Sequence, residues 1–339
     1  MSPVLAFDIE TIPDVAGLRL LRGAEATLSD AEVYAAEIAD RAARNNGDFM
    51  PLYLQRVLVI SCVFRSSQGL VVRSFVDLER DGRSEEAAII QSFFDRVDTH
   101  RPQLVSWNGG GFDLPVLQQR GLRHGVVAGR YWDMGQDEDS DRDHRYNNYI
   151  SRYHLRHIDL MDLLAMYQSR ANAPLDAMAK LCGFPGKLGM DGSQVYGAYL
   201  EGRRDEIRRY CETDAMNTYL LWCRFEKMRG RLDESGYLRE LALARDAVAA
   251  IDEPHWTEYL AAWPEQASLP RHRAARLDDP MPIREASSEG ESPPLDEIAP
   301  PERGAGEAPG PFAEPATVAV VEKTTTETTI YIDSSSIRP

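Results

Sequence analysis

Pro3-Val-Leu-Ala-Phe-Asp8-Ile-Glu10 is an apolar run that ends in two acids, with Pro13 close behind. The apolar run predicts a buried strand near residues 4–9 that is stopped by a turn at Pro13. Because side chains alternate along a strand, Asp8 and Glu10 project from the same face and can hold one cation between them. This strand would therefore supply two hard oxygen ligands.

Two later segments place further acids beside predicted elements. Residues 103–107 predict another apolar strand, and after three glycines Asp113 stands at the start of a predicted helix. The segment around Tyr210 and Asp214 has helical periodicity, and its i, i+4 spacing stacks these two side chains on one face. A phenol and a carboxylate would then point into one cleft.

Four acids in one cleft would suit phosphodiester cleavage by two divalent ions. Such ions, about 3.5–4 Å apart, activate a water and stabilise the entering and leaving oxygens, and they need several carboxylates to hold them. Oxygen ligands favour Mg²⁺ or Mn²⁺ over Zn²⁺. A zinc site is disfavoured because no C-x-x-C spacing occurs among the four cysteines, Cys62, Cys182, Cys211 and Cys223.

The order and spacing of these residues resemble a known class of nuclease, the DEDDy 3′–5′ exonucleases. Within it, the chain is most similar to stand-alone proteins related to the proofreading domain of B-family DNA polymerases. The likeness spans roughly residues 1–230. It rests on three motifs, Asp8-x-Glu10, Asn108-x3-Phe112-Asp113 and Tyr210-x3-Asp214.

The resemblance implies an RNase H-like α/β fold, a mixed sheet flanked by helices, that removes nucleoside monophosphates stepwise from a 3′ end. It also implies that Tyr210 positions the attacking water. The histidine-bearing subclass is disfavoured, because Arg209 stands where its histidine would be. The metal ligands implied are Asp8, Glu10, Asp113 and Asp214.

Each motif alone has an ordinary structural interpretation, as a solvated strand end or a surface pair on a helix. The joint occurrence of the motifs favours the nuclease. Two other functions stay open, a non-catalytic nucleic-acid-binding module or scaffold that recruits partners through its tail, and an RNase H-type endonuclease. Products of one nucleotide would separate the exonuclease from both.

Five residues are candidates for contacts with single-stranded DNA or RNA. Asn108 and the glycines after it would approach the terminal nucleotide, or would only form a strand-to-helix turn. Aromatic rings can stack on an unpaired base, although core packing is favoured for Trp107. Lys187 could bind a substrate phosphate or could belong to a solvated loop, and the sequence favours these two interpretations equally. The five candidates are Thr11, Trp107, Asn108, Phe112 and Lys187.

The composition predicts an acidic, cytoplasmic protein. The net charge of −16 argues for weak, salt-sensitive binding near one strand end, because phosphate affinity normally comes from Lys and Arg. Neither a membrane span nor a signal segment is apparent in the sequence, and the four cysteines fit a reducing compartment. The best local basic cluster is Arg203, Arg204, Arg208 and Arg209, which could flank substrate or form a solvated helix face.

The predicted organisation is an exonuclease domain over 1–232, a helical extension over 233–265 and a disordered Pro/Glu/Ser-rich tail over 266–339. Two β-prone runs in the tail, 317–322 and 328–333, could add a strand to a partner's sheet or be compositional bias. Predicted strands lie near 4–9, 56–65, 69–76 and 103–107, and predicted helices near 28–45, 84–98, 113–123, 159–168, 175–182 and 204–230.

Overall fold

The computed structural model describes residues 2–45, 47, 49–79, 83–136, 142–264 and 332–333. A mixed β-sheet lies at its centre. The strands are β1 (Val4–Pro13), β2 (Gln55–Ser66), β3 (Gly69–Val76), β4 (Gln103–Ser106), β5 (His157–Asp159) and β6 (Ile332–Asp333).

The sheet has the RNase H-like topology that the resemblance implied. Its strand order is β5-β4-β1-β2-β3-β6. β1, β4 and β5 are parallel neighbours, whereas β2 is antiparallel to both β1 and β3. The acid-bearing strand β1 therefore lies in the interior of the sheet, with a paired strand on each side.

β1 is longer than the predicted 4–9 and continues to Pro13, the residue at which the sequence predicted its end. A bulge between Glu10 and Thr11 shifts the register, after which Thr11 pairs with Val57 and Pro13 with Gln55. Bulges re-aim side chains and increase the local twist. Proline is tolerated as the last residue of the strand because it removes only one ladder donor there.

Helices cover both faces of the sheet. They are α1 (Val15–Arg22), α2 (Asp30–Ala43), α3 (Glu86–His100), α4 (Asp113–His124), α5 (Gly129–Trp132), α6 (Leu160–Leu164), α7 (Leu175–Leu181), α8 (Val195–Leu200), α9 (Arg204–Met228), α10 (Glu234–Ala249) and α11 (Pro254–Ala262).

Five predicted helices, α2, α3, α4, α7 and α9, are confirmed with small shifts at their ends. The helix predicted over 159–168 is wrong in its extent. Residues 157–159 form β5, and α6 ends at Leu164 because Met166 and Tyr167 both adopt left-handed backbone conformations that no helix continues. Helices α1, α5 and α8 had no counterpart in the sequence prediction.

Alternation along β1 divides the core between the two faces of the sheet. Val4 and Ala6 pack with Tyr219 of α9 on one face. Leu5 and Phe7 belong to the second cluster, on the face covered by α3 and α4. Asp8 and Glu10 continue this alternation, so their side chains lie on the face of the sheet that α9 covers.

The C-terminal helices belong to the core on the α9 face. Leu241 and Ala244 of α10 and Trp256 of α11 lie in the same buried cluster as Tyr219. Within the described ranges, no helix is both long and apolar enough to cross a bilayer.

Most of the predicted tail, including the run 317–322, lies outside the described residues. Of the second run, 328–333, only Ile332–Asp333 is described, and these two residues pair with Gly69–Leu70 of β3.

Candidate active site

The end of β1 brings two acids against helix α9. Glu10 is buried, Asp8 is half-buried, and one carboxylate oxygen of each lies within 4.8 Å of the other and of Cys211 Sγ. The thiol of Cys211 is 3.3 Å from the Asp8 backbone oxygen and 3.6 Å from Asp8 Oδ2. Cys211 was not a predicted site residue, although its place directly after Tyr210, one turn before Asp214, could have signalled it.

The turn between β4 and α4 places Asp113 beside β1. Asp113 is the first residue of α4, where the helix dipole favours a carboxylate, and its Oδ1 accepts the backbone N–H of Ile9 at 3.2 Å. The turn needs glycine, because a Cβ on Gly109 would lie 2.3 Å from Ser106 Oγ. Asn108 adopts a left-handed conformation, with φ of 68°.

Helix α9 supplies the predicted pair of Tyr210 and Asp214, and Lys187 lies between them. The Lys187 ammonium is 3.2 Å from Asp214 Oδ2 and donates a hydrogen bond to the Tyr210 hydroxyl. The other oxygen of Asp214, Oδ1, is buried and makes no hydrogen bond within the described part of the chain. A buried oxygen without a partner marks a place where a ligand can bind.

The pKa values of all four acids are raised, chiefly by burial, and neighbouring carboxylates add to the effect. Burial and the neighbouring Asp113 and Glu10 carboxylates hold the pKa of Asp8 well above its ordinary value, and burial and Asp214 do the same for Glu10. Burial raises the pKa of Asp113 to about 7 and that of Asp214 to about 6, the latter in spite of the opposing Lys187 ammonium. Such an environment favours the binding of cations.

A cavity of about 640 Å³ opens above these groups, and we call it the acid cleft. Asp113 is not part of its lining, although the Asp113 carboxylate raises the pKa of Asp8. The side chains that define the acid cleft are Asp8, Glu10, Lys187, Tyr210 and Asp214.

Of the remaining candidates for substrate contact, Trp107 and Asn108 line this cleft, whereas Thr11 and Phe112 do not. Asn108 lies on its lining and is exposed. Trp107 is buried at 9 % exposure and donates its indole N–H to the Ala173 oxygen at 3.0 Å, so the core packing favoured from sequence is observed. The hydroxyl of Thr11 donates to Gln55 Oε1 at 2.9 Å.

Phe112 has an aromatic neighbour that the sequence did not predict. Phe49 is 63 % exposed, and its ring centroid is 5.7 Å from that of Phe112. An exposed phenylalanine in the segment before β2 has no periodic signature, so the pair becomes visible only in the structure.

The predicted basic cluster is engaged with acids. Arg203 pairs with Glu201 and Glu206, and Arg204 with Glu79. Arg208 and Arg209 both contact Glu253, in the turn before α11. These four arginines therefore form a network of ion pairs along α9 instead of an open phosphate track.

An RNase H-like sheet with a cleft of buried acids at the end of β1 is the architecture of a nuclease. Residues 47–263 match the family described as predicted 3′-5′ exonucleases related to the exonuclease domain of PolB, and the chain belongs to this family. The match begins after the two acids of β1 and includes Asp113, Tyr210 and Asp214. It supports nuclease activity in general. No curated protein matches the chain.

Proposed function

We propose that the protein is a metal-dependent 3′–5′ exonuclease that hydrolyses the terminal phosphodiester bond of single-stranded nucleic acid and releases nucleoside monophosphates. DNA is favoured over RNA because of the likeness to a polymerase proofreading domain. The observation that carries the proposal is the convergence of four acids from β1, α4 and α9, whose raised pKa values reflect burial and repulsion from neighbouring carboxylates.

The acid cleft fits two hard divalent cations, Mg²⁺ or Mn²⁺. Bound there, such ions would lower the pKa of a water and stabilise the leaving oxygen. The buried Asp214 Oδ1 has no competing hydrogen bond in the described residues, as expected of an oxygen kept for a ligand. The residues that would hold the ions are Asp8, Glu10, Asp113 and Asp214.

Cys211 acts in this proposal as a support for Asp8 and is not a ligand. Burial and the neighbouring acids Asp8 and Glu10 raise the pKa of its thiol well above the ordinary range, so the sulfur keeps its proton. A protonated thiol is a weak donor, and its contacts with Asp8 orient that carboxylate.

Tyr210 would position the attacking water. Burial and the nearby Asp214 raise the pKa of the Tyr210 phenol well above its ordinary value. The phenol therefore stays protonated and cannot act as a base. Burial lowers the pKa of the Lys187 ammonium, but the carboxylates of Asp214, Asp8 and Glu10 together outweigh burial and raise this pKa, so Lys187 stays charged. Its charge would compensate a substrate phosphate once that group enters the cleft.

Substrate contacts are assigned to the residues around the acid cleft. Asn108 and Phe112 would contact the terminal nucleotide, with Phe49 extending the aromatic surface of Phe112. Thr11, which follows the bulge of β1, would also contact the substrate. Trp107 would support the cleft wall from the core.

The test is nuclease activity of Asp214→Asn compared with Asp205→Asn. Both variants change one carboxylate of α9, but the Asp205 side chain is 81 % exposed and lies outside the acid cleft. Asp214→Asn should lose at least about 100-fold in turnover, the scale of removing one electrostatic contact at a reacting centre. Asp205→Asn should match wild type.

The measurement is release of mononucleotides from a single-stranded oligonucleotide at graded Mg²⁺ or Mn²⁺, with circular dichroism as the check of folding. Wild-type turnover that persists in excess chelator would contradict the proposed metal dependence. A wild-type protein that binds the oligonucleotide and never cleaves it would indicate a binding module.

A further inference from the structure

A second cavity, of about 700 Å³, opens beside the acid cleft. The two cavities share lining residues, Asn108, Met161 and Asn172. A chain bound in one would therefore pass directly into the other. The second cavity lies between the β4–α4 turn and the segment from Tyr149 to Tyr167.

Two tyrosines and an arginine distinguish this second cavity, which we call the tyrosine cleft after Tyr153 and Tyr167. Tyr153 is 71 % exposed, and its ring centroid is 5.1 Å from that of Tyr167 at an interplanar angle of 78°. The Arg152 guanidinium carbon lies 5.0 Å from the centroid of the Tyr167 ring. The arrangement places two aromatic rings and the Arg152 side chain on the lining of one cavity, a combination typical of single-strand-binding surfaces.

Tyr167 lies in a strained backbone turn that hydrogen bonds close. Met166 and Tyr167 have φ of 52° and 60°, a left-handed conformation that costs bulky residues about 1–2 kcal/mol each. The turn is closed by hydrogen bonds from Met166 N–H to Leu163 O at 3.1 Å and from Tyr167 N–H to Asp162 O at 2.8 Å. Glycine would form this turn without strain, so a tyrosine here indicates a role for its side chain.

The acids of the tyrosine cleft already have partners. Asp159 accepts the backbone N–H groups of Asn108 and Gly110, at 2.9 and 2.8 Å. Asp162 accepts two hydrogen bonds from Arg152. Asp162 is thus paired with the Arg152 guanidinium, and Asp159 is hydrogen-bonded to the backbone. A polyanion entering the cleft would gain little from ion pairs, and its affinity would have to come from stacking.

We propose that the tyrosine cleft binds the unpaired nucleotides on the 5′ side of the scissile phosphate by stacking their bases on Tyr153 and Tyr167. This inference rests on the proposed exonuclease function, because it takes the acid cleft as the place of cleavage. Stacking accepts every base and depends less on salt than phosphate contacts do. It would let a chain with a net charge of −16 hold a polyanion.

The first test is binding of a fluorescein-labelled 12-mer of thymidylate, followed by anisotropy with Ca²⁺ in place of Mg²⁺. Tyr153→Ala and Tyr167→Ala should each weaken binding by about 5- to 150-fold, the range expected for loss of one base–aromatic stack. Tyr153→Trp should restore it, because only the aromatic face is needed.

Tyr146→Ala is the matched control for this binding test. Tyr146 is 78 % exposed and does not line the tyrosine cleft, so this variant should bind as wild type does. Unchanged affinity in both Tyr153→Ala and Tyr167→Ala would overturn the proposal.

The second test separates this proposal from the exonuclease itself. The p-nitrophenyl ester of thymidine 5′-monophosphate offers one nucleotide to the acid cleft, whereas the 12-mer reaches both clefts. The ratio of kcat/KM for the 12-mer to kcat/KM for the ester should fall in Tyr153→Ala, mainly through a higher KM for the 12-mer. Equal losses on the two substrates would show a merely structural role and overturn the proposal.

A wild-type protein inactive on both substrates would refute the exonuclease alone. The anisotropy measurement then still decides the tyrosine cleft, since tyrosine-dependent binding of the 12-mer needs no turnover.

Discussion

Replacing Arg120 by methionine should destabilise the protein by about 3 kcal/mol at neutral pH. The Arg120 side chain is only 2 % exposed, donates to Asp14 Oδ2 at 2.6 Å and donates from Nε to Glu86 Oε1 at 2.7 Å. Arg120→Met keeps most of the volume but removes a cationic partner from two buried carboxylates, leaving Arg123 at Asp14 and His124 at Glu86. Losing one partner of a buried ion pair typically costs about 3–5 kcal/mol.

The pKa of Glu86 reflects the combined effect of burial, His124, Arg120 and the Val57 backbone N–H. Burial alone would raise it, but hydrogen bonds from His124 and Arg120 lower it from the ordinary 4.5 to about 2. At about 1.4 kcal/mol per pH unit, this difference corresponds to about 3 kcal/mol. A lowered pKa stabilises the fold above pH 4.5, and that stabilisation is lost as the pH falls towards 2.

The assay is urea unfolding of wild type and Arg120→Met at pH 7 and at pH 3. The difference in unfolding free energy should be about 3 kcal/mol at pH 7 and roughly half of that at pH 3, where Glu86 is protonated in the unfolded chain but still mostly ionised in the folded protein. Arg44→Met, which removes an exposed pair with Asp40, should change stability by less than about 0.5 kcal/mol.

Equal stability of wild type and Arg120→Met at pH 7 would refute this reasoning, as would a difference that grows towards low pH. The network also has a bearing on the site. Asp14 caps α1 directly after β1, and Arg120 lies on α4, the helix that begins with Asp113. Weakening this network of ion pairs should make the position of Asp113 relative to β1 less fixed.

Two further predictions concern α9. Tyr210→Phe removes only a hydroxyl and should slow oligonucleotide hydrolysis by up to about 100-fold, because it disturbs the position of the water. This loss should be smaller than the loss in Asp214→Asn. Equal losses of initial rate in the two variants would mean that the phenol does more than position the water. Cys211→Ser keeps a donor beside Asp8 and should retain most Mg²⁺-dependent activity, whereas a change of metal preference in a Mg²⁺, Mn²⁺ and Zn²⁺ series would indicate thiolate ligation.

Much of the site could be predicted because strands and helices have fixed periodicities. Asp8 and Glu10 lie two residues apart on a strand, and Tyr210 and Asp214 lie four apart on a helix, so each pair faces one direction whatever surrounds it. The apolar runs around them also identified β1, β2, β3 and β4. The RNase H-like order of these strands followed from the resemblance and is confirmed by the sheet.

Features that depend on contacts between distant residues could not be predicted. β5 has only three residues, too few for any periodicity, and the bulge after Glu10 depends on its pairing with β2. Lys187 was expected in a loop, but nothing in its sequence neighbours indicated that it would reach both Tyr210 and Asp214. The partners of the arginines on α9 likewise come from segments far away in the chain.

The contact between the two rings of the tyrosine cleft could not be predicted from the sequence either. Tyr153 and Tyr167 are 14 residues apart and belong to segments without regular periodicity, so the contact between their rings is a product of the turn after α6. Positive φ at two consecutive residues other than glycine has no dependable sequence signal. Such positions become apparent only when the backbone is known.

Cleavage from the 3′ end is tested by the direction of degradation. Single-stranded DNA and RNA oligonucleotides, labelled at either the 5′ or the 3′ end, are incubated with wild type and with Asp8→Asn in Mg²⁺, Mn²⁺ or chelator. The 5′-labelled DNA should give a ladder that shortens one nucleotide at a time, while the 3′-labelled DNA should release labelled mononucleotide at once. Both products should need metal and be lost in Asp8→Asn. A ladder from the 3′-labelled strand, internal cuts in a circular substrate, or full activity in Asp8→Asn would contradict the account.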